Sequence, residues 1–324
     1  MKILLDAFNL GLKQGTGLAT YTKELGKILA SQGHEVDYLF GLDRVSKNQD
    51  IRLSTFIQSL LIEGEPQGWT KKRLFNKFVF DLPKYLTRGA FKLKQISCDS
   101  QSVVTKALYE KIPHFNRIYN YSYIFRESAL LSYIAHEPVL INCGSGYKPD
   151  VLHMTSPLPI SMKGVKKVVT VHDLIPLVLP QSTSINLKNY KNFIRDSIKD
   201  ADLIFSISKK TKEDLLKYFN YPEEKIVVTY ENVDIPDFYK KLTEEEVRRF
   251  LWKNYRLSYK KYFLYYGAIE PKKNVRRIIE AFLRVDTDEK LVVVGKNGWL
   301  YDDVLKLLES IKKKKRFLKR IHYV

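Results

Sequence analysis

The chain is poor in cysteine, in acidic residues and in long apolar runs, and each shortage removes a class of protein from consideration. Cys98 and Cys143 are its only cysteines among 324 residues. There is thus no disulfide framework and no cysteine metal cluster, a pattern that suits a reducing cytosol, although the two leave one pairing open. No stretch approaches the roughly eighteen apolar residues that cross a bilayer. The N-terminus, MKILLDAFNLG, reaches Asp6 after a run too short and too polar for a secretory leader. Acids number 36 against 55 lysines and arginines, a formal charge of +19. That balance favours an anionic partner such as a nucleotide diphosphate, nucleic acid or acidic membrane surface, and it also serves solubility alone. The paired carboxylates of glycoside hydrolysis have no candidate here. What is plentiful is core material: 44% of residues are apolar and 13% aromatic, enough for two domains at this length.

The first segment reads as a βαβ unit. A short apolar strand, Lys2 to Asp6, precedes Gly11, Gly15 and Gly17, the helical pattern TYTKELGKILASQG, and a second strand, HEVDYLF. Gly15, Thr16 and Gly17 let backbone N–H groups approach an anion at a helix start. The dinucleotide fingerprint fails, because Thr20 stands where its third glycine belongs and no acid closes the second strand. Further on, Val165 to Val171 is a β-branched run delivering His172 and Asp173 to the carboxyl end of a buried parallel strand, where ligands of open α/β sheets collect. ADLIFSISKKTKEDLLKYF is a strand running into Ser208, placed as a helix N-cap, with Ser206 just before it. Near the end, YFLYYGAIEPKKN sets an apolar strand, Gly267, Glu270, Lys272 and Lys273 ahead of a helical pattern, a layout in which N–H groups and a lysine meet a phosphate. LVVVGKNGWLYDDVL repeats the plan with Gly295, Lys296 and Gly298.

Four segments in order resemble glycosyltransferase family 4: the opening LLDAFNLGLKQGTGLATYTKEL, VVTVHDLIPL, GAIEPKKN and the VGKNGW loop. The resemblance implies a GT-B fold, two Rossmann-like domains facing across a cleft. The boundaries it suggests are residues 1–235 on the acceptor side, a linker at 236–261 and a donor domain at 262–324. It implies a retaining transfer from a nucleotide-diphosphate sugar to a hydroxyl acceptor on a polysaccharide or lipid-linked glycan, with neither metal nor other cofactor. It places Gly15, Thr16, Gly17, Lys272 and Lys273 at the donor diphosphate, with Lys273 stabilising the departing charge. His172 would orient the sugar and Asp173 would support it; Ser206 would border the acceptor, and Gly267, Glu270, Gly295 and Lys296 the nucleotide. The chain departs from the pattern at Phe8, where arginine is common, at Ala268, likewise, and at Glu231, which stands for the first asparagine of an N-G-V-D exit.

Residues 44–130 are the least readable. From Lys71 to Lys94 there are eight basic residues, one acid (Asp81) and the aromatics Phe75, Phe78, Phe80, Tyr85 and Phe91. The mixture suits an anionic membrane surface, a nucleic-acid groove or surface helices with aromatics turned inward; Pro83 is expected to interrupt a long helix there. The resemblance favours the membrane, with the protein cytoplasmic and peripheral, over any specific nucleic acid. It also implies that the second domain is incomplete, since the family's Glu-x7-Glu segment has no counterpart beyond Lys273; Glu223 and Glu231 share the spacing but precede the linker, as coincidence. The rival expectation is a truncated, inactive protein that binds nucleotide sugar or glycan.

Overall fold

The computed structural model describes residues 1–12, 17–43, 45, 46, 48, 51–63, 71–87, 89–97, 108, 109, 111, 112, 114–144, 146–183, 185–298, 301–312 and 321–323. Gly15, Thr16 and Cys98 lie outside these residues. The chain divides into two compact units, Met1–Val233 and Asp234–Val324.

The first unit is built on an eight-stranded sheet. Its strands are β1 (Lys2–Asp6), β2 (Glu35–Phe40), β4 (Lys94–Ile96), β5 (Arg117–Asn120), β7 (Val151–Met154), β9 (Lys166–Val171), β10 (Leu203–Ser206) and β11 (Ile226–Val228). A smaller parallel sheet pairs β3 (Phe91–Lys92) with β6 (Val139–Asn142) and β6 with β8 (Ile160–Ser161). The order in the large sheet is β11-β10-β9-β7-β1-β2-β5-β4. All neighbours are parallel except β4 and β5. β1 sits inside it, and its apolar run serves both faces: Leu4 enters one core, Ile3 and Leu5 the other. The order reverses between β1 and β7, with β2 on one side and β9 on the other, so the carboxyl ends of β1 and β7 flank the switch point where doubly wound sheets bind ligands.

The helix Gly17–Ser31 lies over β2 and needs Gly26 for it: a Cβ there would sit 1.8 Å from the hydroxyl oxygen of buried Tyr38. Gly26→Ala is therefore expected to cost ~1–3 kcal/mol. Adding Tyr38→Phe should recover part of that loss in urea unfolding, whereas equal costs in both backgrounds would mean that the ring is not what the methyl meets.

The sequence reading of Pro83 is corrected by one continuous helix, Lys71–Leu86, that runs through it. Proline near the end removes a single N–H, and the last turn is closed by Thr87, whose N–H and hydroxyl both donate to the Pro83 carbonyl at 3.0 Å. Tyr85 is buried and donates to the Glu137 carbonyl at 2.6 Å, while Val79, Phe80 and Leu86 are exposed.

The second unit opens with the helices Asp237–Lys240 and Glu244–Tyr255. Thr243 caps the latter: its hydroxyl accepts from the Glu246 N–H at 3.3 Å, and the Glu246 carboxylate accepts from the Thr243 N–H at 2.7 Å. Three parallel strands follow in the order β12-β13-β14: β12 (Tyr262–Tyr266), β13 (Lys290–Val294) and β14 (Ile321–Tyr323). The helix Val275–Phe282 buries Val275, Ile279 and Phe282 in the core that Leu291 and Val293 share.

Candidate functional site

In the first unit the polar side chains gather where the switch point predicts. Asp6, fully buried at the end of β1, accepts hydrogen bonds from the backbone N–H of Thr155, from the Thr155 hydroxyl at 2.8 Å and from the Phe8 N–H at 3.3 Å. It thereby ties the loop after β7 to the end of β1. Burial is the dominant influence on its carboxyl and pushes it up to about 6, against the hydrogen bonds from Thr155, Phe8 and Ser156. Thr22 donates to the Leu18 carbonyl at 3.0 Å and lies 2.8 Å from the Thr155 hydroxyl, extending the polar cluster onto the helix Gly17–Ser31. Asn9 adds a contact to Ser156 at 3.4 Å.

His172, the residue after β9, stands beside this cluster. Its Nε2 is 2.8 Å from the Thr155 carbonyl and its Nδ1 2.8 Å from Glu231 Oε1. The Tyr21 ring meets the imidazole edge-on at 4.9 Å and 89°, and the Thr211 hydroxyl donates to the His172 carbonyl at 3.0 Å. Tyr21 also reaches Thr170 at 3.0 Å, and Thr170 reaches His153 Nε2 at 2.8 Å. Burial, with nearby His172 second, pulls His153 down to about 3, so this imidazole is neutral.

Two first-unit assignments change. Asp173 is exposed and its carboxylate accepts from the Ile175 N–H at 3.2 Å, turning the chain into the next helix; the carboxylate that engages His172 is that of Glu231. Ser206 is fully buried and donates to the Ser208 carbonyl at 3.3 Å, which turns its hydroxyl inward, away from any acceptor. Ser208 is the N-cap, accepting from the Thr211 N–H at 3.0 Å. Gly17 begins the helix that carries Tyr21 and Thr22.

Asp6, Tyr21, Thr155 and Glu231 were not singled out as site residues from the sequence. A lone acid closing an apolar strand was the available signal for Asp6, and a charge in place of an amide the signal for Glu231. The shared spacing of Glu223 and Glu231 has no structural counterpart, since Glu223 pairs with Lys212 at 3.1 Å.

The second unit brings its own residues together at the carboxyl ends of β12 and β13. Gly267 donates to the Val294 carbonyl at 3.0 Å, Ile269 to that of Lys296 at 3.0 Å, and Gly298 to that of Ile269 at 3.1 Å. Gly267 has φ +147°, a region that disfavours any side chain. Glu270 precedes the turn Pro271–Lys273 and lies 3.7 Å from Lys272 Nζ. Lys273 is exposed on that turn, ahead of the helix Val275–Phe282. Among the described residues no group of three or more His, Cys, Asp or Glu side chains is placed to hold a metal, and no helix is long and apolar enough to cross a membrane.

Residues 99–235 match the family model of Glycosyltransferase Family 4, a segment that includes Thr155, His172 and Glu231. The chain is 27% identical to O-antigen chain mannosyltransferase B of Escherichia coli over 164 residues, 49% of this chain and 42% of that protein. It is 30% identical over 118 residues to a Campylobacter jejuni diphospho-undecaprenol 4-alpha-N-acetylgalactosaminyltransferase, covering 36% of this chain and 29% of the relative. It thus spans less than half the length of these curated relatives. Among solved structures, Anabaena HepE in complex with UDP-glucose superposes with a TM-score of 0.53 at 12% identity, covering 100% of this chain and 68% of HepE. By family match and sequence relatives the chain is similar to glycosyltransferase family 4, and its fold is that of the GT-B proteins.

Proposed function

We propose that the chain transfers a sugar from a nucleotide-diphosphate donor to a hydroxyl of a polysaccharide or lipid-linked acceptor, with retention of configuration and without a metal. The observation that carries this reading is the array of Thr155, His172 and Glu231 at the carboxyl ends of β7, β9 and β11, inside the segment matched to the family. The relatives named for mannosyl and N-acetylgalactosaminyl transfer, and a fold neighbour holding UDP-glucose, support it. In the reaction the acceptor oxygen bonds to the anomeric carbon as the bond from that carbon to the diphosphate oxygen breaks on the same face, and the hydroxyl proton passes to the departing diphosphate oxygen. Negative charge grows on the leaving diphosphate, and Lys273 stabilises it. Lys272 adds a point charge without the fork of an arginine. The exposed Val79, Phe80 and Leu86, on a helix that begins with Lys71, Lys72 and Arg73, support a peripheral place at an anionic cytoplasmic membrane face, where a lipid-linked acceptor would lie.

The test is a calorimetric and turnover survey of UDP-, GDP- and ADP-sugars with the full chain. Lys273→Ala is expected to weaken donor binding about tenfold or more, and His172→Ala to lower turnover about a hundredfold with donor affinity within about threefold. Binding without turnover would favour an inactive binding protein. Equal, steeply salt-dependent binding to any polyanion would replace both readings with charge alone.

A further inference from the structure

His172 has no ring nitrogen left to offer a ligand. The Thr155 carbonyl opposite Nε2 can only accept, so Nε2 carries a hydrogen and gives it inward; Nδ1 faces Glu231 Oε1 at 2.8 Å. The ring is held further by Tyr21 against it and by the Thr211 hydroxyl on its carbonyl. Glu231 is the opposite case. Its side chain is 41% exposed, one oxygen is fixed by the imidazole, and Oε2 has no hydrogen-bond partner among the described residues. It lies three residues past β11, on the same edge of the sheet as Asp6 and His172. A fixed carboxylate with one open oxygen is an acceptor for a hydroxyl, and a sugar presents hydroxyls.

Building on the transferase reading, we propose that Glu231 is the group that takes a sugar hydroxyl in the first unit, and that His172 is a positioning residue that aims it. The chemistry sets a selectivity as well. A neutral, hydroxyl-rich hexosyl unit donates to Glu231, whereas a uronic acid whose own carboxylate falls there meets like charge and is refused. Glu231 is thus a specificity-determining residue for uncharged sugars.

The experiment titrates the full chain with methyl α-D-mannopyranoside and with the corresponding methyl mannopyranosiduronate, read by the ring signals of His172 and the amide of Glu231. The neutral glycoside is expected to move both signals, and the uronate to move neither at the same concentration. Glu231→Ala should weaken the neutral glycoside about tenfold or more. Glu231→Gln, which keeps shape and an acceptor, should bind both glycosides within about threefold of each other. Equal response of the wild-type chain to the two glycosides, no response to either, or unchanged affinity in Glu231→Ala overturns the inference. Melting temperatures of the two variants serve as a control, since a loss that follows unfolding would leave Glu231→Gln without its altered selectivity and so count against the proposal. Turnover separates this inference from the reading beneath it. Glycoside selectivity without consumption of any nucleotide sugar leaves Glu231 in its role and removes the transferase, whereas turnover with wild-type kcat and KM in Glu231→Ala does the reverse.

Discussion

Between about pH 4 and pH 6 the two buried groups of the first site should leave stability flat, and single substitutions should tilt it in opposite directions. In the unfolded chain Asp6 ionises near its ordinary 3.8 and His153 near 6.5, so over this range the carboxyl has lost its proton and the imidazole holds one. In the folded protein Asp6 keeps its proton up to about 6 and His153 stays neutral down to about 3. Each state then binds one proton between the two groups, and the pair adds no slope. Asp6→Asn leaves His153 alone. Its depressed folded value means stability present above 6.5 and lost as pH falls, by ~1.4 kcal/mol per pH unit, so about 2–3 kcal/mol should go between pH 6 and pH 4. His153→Gln leaves Asp6 alone. Its raised folded value means stability present below 3.8 and lost as pH rises through about 6, so this variant should gain a similar amount on the same acidification. Denaturant unfolding at three pH values, expressed as variant minus wild type, reads both slopes. Two slopes of the same sign would mean that one of these side chains is not buried in the state described.

The second large effect is expected at Gly295. A Cβ there would sit 1.9 Å from the Gly267 carbonyl oxygen and 2.7 Å from its carbon, and both obstacles are backbone held by the Gly267 to Val294 hydrogen bond. No rotamer change relieves such a contact, so β12 and β13 must separate at their carboxyl ends. Gly295→Ala is expected to cost ~3 kcal/mol or more, with amide exchange rising across β12 and β13 and unchanged in β1 and β9. On the proposed function, donor binding through Lys273 should fall with it, because the same loops hold the turn Pro271–Lys273. A cost below about 0.5 kcal/mol would show that the two loops do not approach as described.

How much of this was legible depended on how far apart in sequence the partners lie. The helix cap at Ser208 is local, settled within three residues, and was readable. The strand ending at Val171, just before His172, announced itself by β-branched residues, and β1 by its apolar run. By contrast the Asp6–Thr155 bond joins residues 149 apart and the His172–Glu231 bond residues 59 apart. Neither follows from periodicity, because only the strand order brings those ends together. Ser206 illustrates the converse: its motif pointed to an acceptor surface, but alternation along β10 turns that side chain inward. Pro83 was misjudged because a proline in the last turn of a helix removes one hydrogen bond where few remain to be made.

β12 carries a practical consequence. Among the described residues it is an outer strand of its sheet, and Phe263, Leu264 and Tyr266 on it are exposed. An apolar ribbon with open N–H and C=O groups invites lateral addition of any extended polypeptide, including another molecule of the same kind. Purification and storage therefore favour dilute samples at low temperature, with a lysine at Leu264 as the simplest deterrent against clumping.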